Sequence, residues 1–191
     1  MSDLLLYDTT LRDGAQTEGI AFSVDDKLKI ARKLDELGVN YIEGGFPDPS
    51  NRTDMEFFAR LRKQPLEHAR LVVFGMTRRA GTTPEDDPGL AGMLALGVPT
   101  AALVAKTWDL HVTAALRVDL EENLEMIRES VRYVKAHGLE VCFDAEHFFD
   151  GLKHNRRYAL ECLRAAAKEG ADWICLCDTN GGALPEQIRE G

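Results

Sequence analysis

This chain predicts an α/β fold and, within that class, a TIM-type (β/α)8 barrel of which about six β/α units are present. Three observations carry that expectation. Six short apolar runs, "LLLYDT", "NYIEGGF", "RLVVFGM", "AALVAK", "EVCFDAE" and "WICLCDT", alternate with segments of helical period. One small unit recurs, in which a helix ends at a glycine and a strand follows at once: "LGVNYIE", "LGVPTAALV", "HGLEVCF" and "EGADWICL". Finally, most runs end on their C-terminal side in ionisable or hydrogen-bonding groups: Asp8 to Asp13, Glu43, Arg78 and Arg79, Lys106 to His111, Asp144 to His147, and Asp178 to Asn180. Strict alternation of strand and helix builds a parallel sheet. Barrel enzymes gather their chemistry at the C-terminal face of the strands, whereas an open doubly wound sheet uses mainly its switch point. No GxGxxG or GxxxxGK[ST] opens a helix, which weighs against a nucleotide-binding doubly wound sheet. Pattern alone leaves that second architecture open.

Taken in order, the runs read as continuously apolar, as strands covered on both faces do. Residues 24–37 form a helix with Ser23 as N-cap, Asp26 three positions on, and Gly38 just past its end. In 120–137, Leu120, Leu124, Ile127, Val131 and Val134 step by four and three along one stripe, with Asp119 as the cap. Residues 155–169, with their alanine run before Gly170, make a further helix, and "LPEQIREG" begins a sixth. A whole barrel needs eight strands and about 250 residues. Residues 1–191 are therefore expected to be the N-terminal part of a barrel, with its last units absent.

Composition narrows the function. The chain has 191 residues and is 45% hydrophobic, enough for one sizeable core. A formal net charge of -9 makes nucleic acid and anionic membrane surfaces poor partners. No apolar run approaches the roughly 20 residues of a membrane span, and "MSDLLLYD" lacks a basic leader segment. The 4 cysteines show no CxxC spacing, so a reduced, cytoplasmic compartment is expected. Cys175 and Cys177, two apart on one strand face, read as packed core thiols.

Several groups carry possible chemistry. Arg12 and Asp13 follow a strand directly: Asp offers hard oxygens for a divalent metal and Arg a permanent charge for an oxyanion. The same dipeptide also suits an ordinary ion pair closing a loop, and Asp8, Thr9 and Thr10 suit loop hydrogen bonding. In "CFDAEHFFDG", Asp144 and Glu146 share a strand face, so each carboxylate raises the other's pKa unless a cation lies between them. That arrangement suits a general base or proton relay, the alternative being a solvated loop. "CDTNGG" sets Asp178, Thr179 and Asn180 beside two glycines that permit close backbone approach to a small anion, or that simply turn the chain. His111 reads as a pocket donor or a structural histidine; His68, His137 and His154 read as surface residues.

"DTTLRDGAQ" resembles the signature that opens the catalytic barrel of the isopropylmalate, homocitrate and citramalate synthases. The likeness continues through "YIEGGFP", "KTWDLH", "DAEHFFDG" and "CDTNGG", across nearly the whole chain in order. The combination of motifs is most similar to the citramalate branch. The resemblance implies a metal-dependent Claisen-type condensation of acetyl-CoA with pyruvate, in branched-chain amino acid biosynthesis. It implies Asp13 as ligand to a divalent metal (Mn, Mg, Co or Zn) and Arg12 as the group stabilising the alkoxide. Glu146 takes the proton transfers, Thr179 holds the oxo acid's carboxylate, and Gln16 and His111 fall on family positions lining the substrate. Asp144 stands where relatives often carry Ser or Tyr. The family completes its metal site with an HxH pair beyond this chain, so the 191 residues alone are expected to be inactive. A homodimer is implied for the full-length protein. Isopropylmalate or homocitrate synthesis, a retro-aldol or retro-Claisen lyase, and a non-catalytic partial barrel are the alternatives.

Overall fold

The computed structural model describes residues 4–190. Its elements in chain order are β1 (Tyr7–Asp8), a 3-10 turn (Gly14–Gln16), α1 (Val24–Glu36), β2 (Tyr41–Gly45), α2 (Arg52–Lys63), β3 (Arg70–Met76) and α3 (Pro88–Ala95). There follow β4 (Thr100–Lys106), α4 (Asp109–His111) running into a π turn (Val112–Leu116), α5 (Leu120–Ala136), β5 (Glu140–Glu146) and α6 (Phe148–His154). The last are α7 (Arg156–Lys168), β6 (Trp173–Leu176) and α8 (Pro185–Glu190). No helix among the described residues is long and apolar enough to cross a membrane. The chain divides into two compact units, one of residues up to Gly75 with Ala91–Ala101, the other of Met76–Leu90 with Ala102 onward.

In the first unit β1, β2 and β3 run parallel, with Tyr7 opposite Tyr41 and Ile42 opposite Leu71, and the first residues of β4 follow β3 in the sheet. Helix α1 begins where the sequence places it. Ser23 accepts from the Asp26 N–H, and the Asp26 carboxylate accepts in return from the Ser23 N–H, which satisfies two of the helix's orphan donors. Gly38 ends it with φ +83. Helix α2 buries Phe57, Phe58 and Leu61. Full burial of such side chains contributes about 1.5–3 kcal/mol each. Gly44 of β2 lies flat against the two phenyl rings, where a Cβ would sit 2.7 Å from Phe57. Beneath them the buried Lys27 ammonium pairs with Asp54 and donates to the Gly44 carbonyl at 2.7 Å.

In the second unit the remaining residues of β4, then β5 and β6, continue in chain order. β5 and β6 are parallel, with Phe143 opposite Ile174 and Asp144 opposite Cys175. Helix α5 keeps the expected cap, Asp119 accepting from the Glu122 N–H at 2.7 Å, and buries Leu124, Ile127, Val131 and Val134. Asn123, also buried, donates to the Lys106 carbonyl at 2.9 Å and to the Tyr158 hydroxyl at 2.7 Å. Strand order follows chain order with no reversal within either unit. A doubly wound sheet requires a reversal, so the arrangement is that of a barrel.

Two expectations need correction. The run "LLLYDT" yields a strand of only two residues, and Leu4 (86%), Leu5 and Leu6 are exposed. β6 is likewise poorly covered, with Trp173 and Leu176 exposed. Each is paired to a single neighbour in its unit, so the apolar signal marks a strand without the burial expected of it. Of the two readings left open for the segment after Glu146, the solvated loop falls: "FFDGLKH" forms α6, with Phe148 and Phe149 buried. Gly151 lets α6 reach the chain after β4, since a Cβ there would meet the Thr107 carbonyl at 2.5 Å.

Candidate active site

The polar residues after β1 largely satisfy their own loop. Asp8 accepts from the Thr10 N–H at 2.9 Å and its hydroxyl at 3.0 Å, while the Thr9 carbonyl takes the N–H groups of Arg12, Asp13 and Gly14. Arg12 and Asp13 turn out of that loop with different fates. The Arg12 Nη1 donates to Asp13 Oδ1 at 2.9 Å, yet Asp13 keeps 64% of its side chain exposed. The Arg12 side chain is largely covered. Its Nε donates to Glu43 Oε1, and its guanidinium lies over the Phe74 ring, 3.9 Å from the centroid. Glu43 is wholly buried, and the Tyr7 hydroxyl donates to its other oxygen at 2.6 Å. Burial pushes the Glu43 carboxyl up from the ordinary glutamate range, opposed chiefly by the Arg12 charge. Gln16, in the 3-10 turn, is exposed.

Glu43 is the residue of this group that sequence reasoning left without a role. A signal was present: one acid inside "YIEGG", a strand buried at every position, needs a cation. Asp13 belongs to no group of three His, Cys, Asp or Glu ligands among the described residues. It offers one hard oxygen, and these residues do not by themselves hold the divalent ion that the sequence resemblance implies.

The second unit holds the other group. Glu146, at the end of β5, forms an ion pair with Lys106 at the end of β4. Lys106 thus supplies a cation to Glu146, one of the two carboxylates spaced at period two. His111 packs its ring 4.7 Å from Trp108 and 4.4 Å from His147, centroid to centroid. Burial, then the charges of His147 and Lys106, hold its imidazole below the usual histidine range. Among the described residues its Nδ1 and the Trp108 Nε1, in neighbouring rings, are buried without a hydrogen-bond partner.

His147 adopts left-handed backbone, φ 56, at the start of α6. Three contacts hold it there: its N–H donates to the Thr179 hydroxyl at 2.9 Å, its Nδ1 meets Asp150 at 2.9 Å, and Asp150 also accepts from Asn180 at 2.9 Å. Thr179, in the turn after β6, thus anchors the β5–α6 junction. Asp178 ties down the turn beyond it, accepting from the Ala183 N–H at 3.0 Å. Asp144 stands with sulfur: Cys142 Sγ is 3.6 Å from its Oδ1, and Cys175 and Cys177 lie close by. Those two cysteines are not packed core thiols as the sequence suggested. Cys175 is exposed and Cys177 half-buried, because β6 has a neighbour on one side only.

The HMGL-like family matches residues 3–191. The (R)-citramalate synthase of Aquifex aeolicus is 52% identical over 185 residues, covering 97% of this chain and 35% of that protein. The (R)-citramalate synthase of Sulfolobus acidocaldarius is 52% identical over 96% of this chain, again 35% of its own length. The chain spans about a third of these relatives. Among solved structures, the Bacillus subtilis HMG-CoA lyase superposes with a TM-score of 0.77 at 16% identity, over all of this chain and 63% of that one. At that identity the likeness speaks for the barrel fold alone.

Proposed function

Because the chain belongs to the HMGL-like family, we propose that it serves a Claisen-type condensation of acetyl-CoA with pyruvate, giving (R)-citramalate and CoA. The observation that carries this reading is the 52% identity, over nearly the whole chain, to proteins named for that product. The six β/α units are read as the N-terminal part of the catalytic barrel. Asp13 is this chain's contribution to a divalent-metal site whose other ligands lie outside the described residues. In the reaction a base takes a methyl proton from the thioester, and the resulting enolate carbon bonds to the keto carbon of the oxo acid. The carbonyl π pair moves to oxygen as an alkoxide, which takes up a proton; water then cleaves the thioester and CoA leaves.

Each residue's part follows from its surroundings. Arg12 carries a charge fixed in place by Glu43 and Phe74, so it stabilises the alkoxide without first reorganising. Glu146 is assigned the proton transfers, with Lys106 beside it. Thr179 and His111 are assigned to the oxo acid, and Gln16 to the loop around it.

The test is CoA-thiol release by the full-length protein with acetyl-CoA and Mn²⁺, comparing pyruvate, 2-oxoisovalerate and 2-oxoglutarate. Release strongest with pyruvate is expected, and Asp13→Asn is expected to abolish metal-dependent turnover. Preference for another acid changes the substrate. No release by folded, metal-loaded protein overturns the synthase reading.

A further inference from the structure

Strand register collects sulfur and carboxylate at one place in the second unit. Asp144 on β5 is the register partner of Cys175 on β6, so both side chains project from the same face. Cys177 lies two residues further and returns to that face. Its N–H continues the ladder by donating to the Ala145 carbonyl at 3.3 Å. One ligand atom from each of Asp144, Cys175 and Cys177 lies within 4.8 Å of the others. The two sulfurs are 3.8 Å apart. A tetrahedral ion with metal–sulfur bonds of about 2.3 Å holds neighbouring sulfurs about 3.8 Å apart, so the thiols already stand at the edge length of such a site. A third thiol, Cys142, flanks the carboxylate at 3.6 Å.

We propose that Asp144, Cys175 and Cys177 form a binding site for a borderline-soft divalent cation of the zinc class, with a fourth position left to solvent. Two thiolates and a carboxylate select such an ion over Mg²⁺ or Mn²⁺, which prefer oxygen ligands. The site shares no residue with Asp13 and does not rest on the condensation reading. A disulfide suits the pair less well. Residues two apart along a strand have Cα atoms about 6.6 Å apart, at the upper end of the disulfide range. A metal asks only that the sulfurs approach as they do. Each thiol loses its proton to the solvent as the metal–sulfur bond forms, so binding weakens as pH falls.

The test is Co²⁺ titration of the phosphine-reduced protein, read by absorption. Co²⁺ bound to thiolate in a tetrahedral site shows a near-ultraviolet sulfur-to-metal charge-transfer band and strong visible bands. Both are expected in the native sequence, to be abolished by added Zn²⁺ and unmoved by excess Mg²⁺. Cys175→Ser, at an exposed position, and Cys177→Ser are expected to lose the charge-transfer intensity while far-ultraviolet circular dichroism stays native. Asp13→Asn is expected to keep it. Absence of the band in reduced, folded protein, or its survival in the double serine variant, overturns the proposal.

Discussion

Glu43→Gln tests the link between the buried pair and the active group. In the native chain the Glu43 carboxylate is fully buried and receives the Arg12 Nε and the Tyr7 hydroxyl. Glutamine keeps the shape and one acceptor oxygen, but leaves the Arg12 guanidinium with the solvent-exposed Asp13 as its remaining anion. Breaking a buried pair by removing one partner costs about 3–5 kcal/mol. Arg12 keeps 13% side-chain exposure, the Asp13 contact and the Phe74 ring, so the lower end, about 3 kcal/mol, is expected. Taking a urea m-value of about 2 kcal/mol/M, the midpoint falls by about 1.5 M. Tyr7→Phe removes one hydrogen bond from a partly exposed hydroxyl to the charged Glu43, so about 1.5 kcal/mol is expected. Urea melts of the two single variants and the double variant, followed by circular dichroism, give the coupling between them. A Glu43→Gln midpoint within about 0.5 M of the native value would refute the reasoning, because Arg12 would then hold its place without that anion.

The remaining predictions concern the second unit. Gly151→Ala would set a Cβ 2.5 Å from the Thr107 carbonyl oxygen, too close for the backbone to stay in place, and about 2 kcal/mol of destabilisation is expected by thermal melting. Asn123→Ala removes bonds to the Lys106 carbonyl and the Tyr158 hydroxyl from a fully buried position, costing about 2–3 kcal/mol in denaturant melts. His111, whose pKa is depressed in the fold, contributes stability that is present above its unfolded value of about 6.5 and lost as pH falls through the folded value. His111→Gln is therefore expected to shrink the difference between melting temperatures at pH 8 and pH 5. An unchanged difference would place the pH response elsewhere.

What the sequence determined by itself was local or periodic. Ser23 with Asp26, and Asp119 with the Glu122 N–H, are caps closed within three residues, so their chemistry needs no tertiary partner. The order of strands and helices, the glycine stops at Gly38 and Gly170, and the polar ends of the strands followed from period and turn chemistry, and with them came the barrel. Only the tertiary structure decided which polar groups meet. Arg12 finds Glu43 across 31 positions, Lys106 finds Glu146, and Asp144 finds two thiols, because the sheet makes neighbours of segments far apart in the chain. Burial at the two outermost strands also had to come from the structure, since an apolar run such as "LLLY" encodes the propensity to be covered and not the presence of a cover. Local signals report the free energy of a turn or a cap; long-range pairs report which strands are neighbours, and one sequence leaves that to the fold.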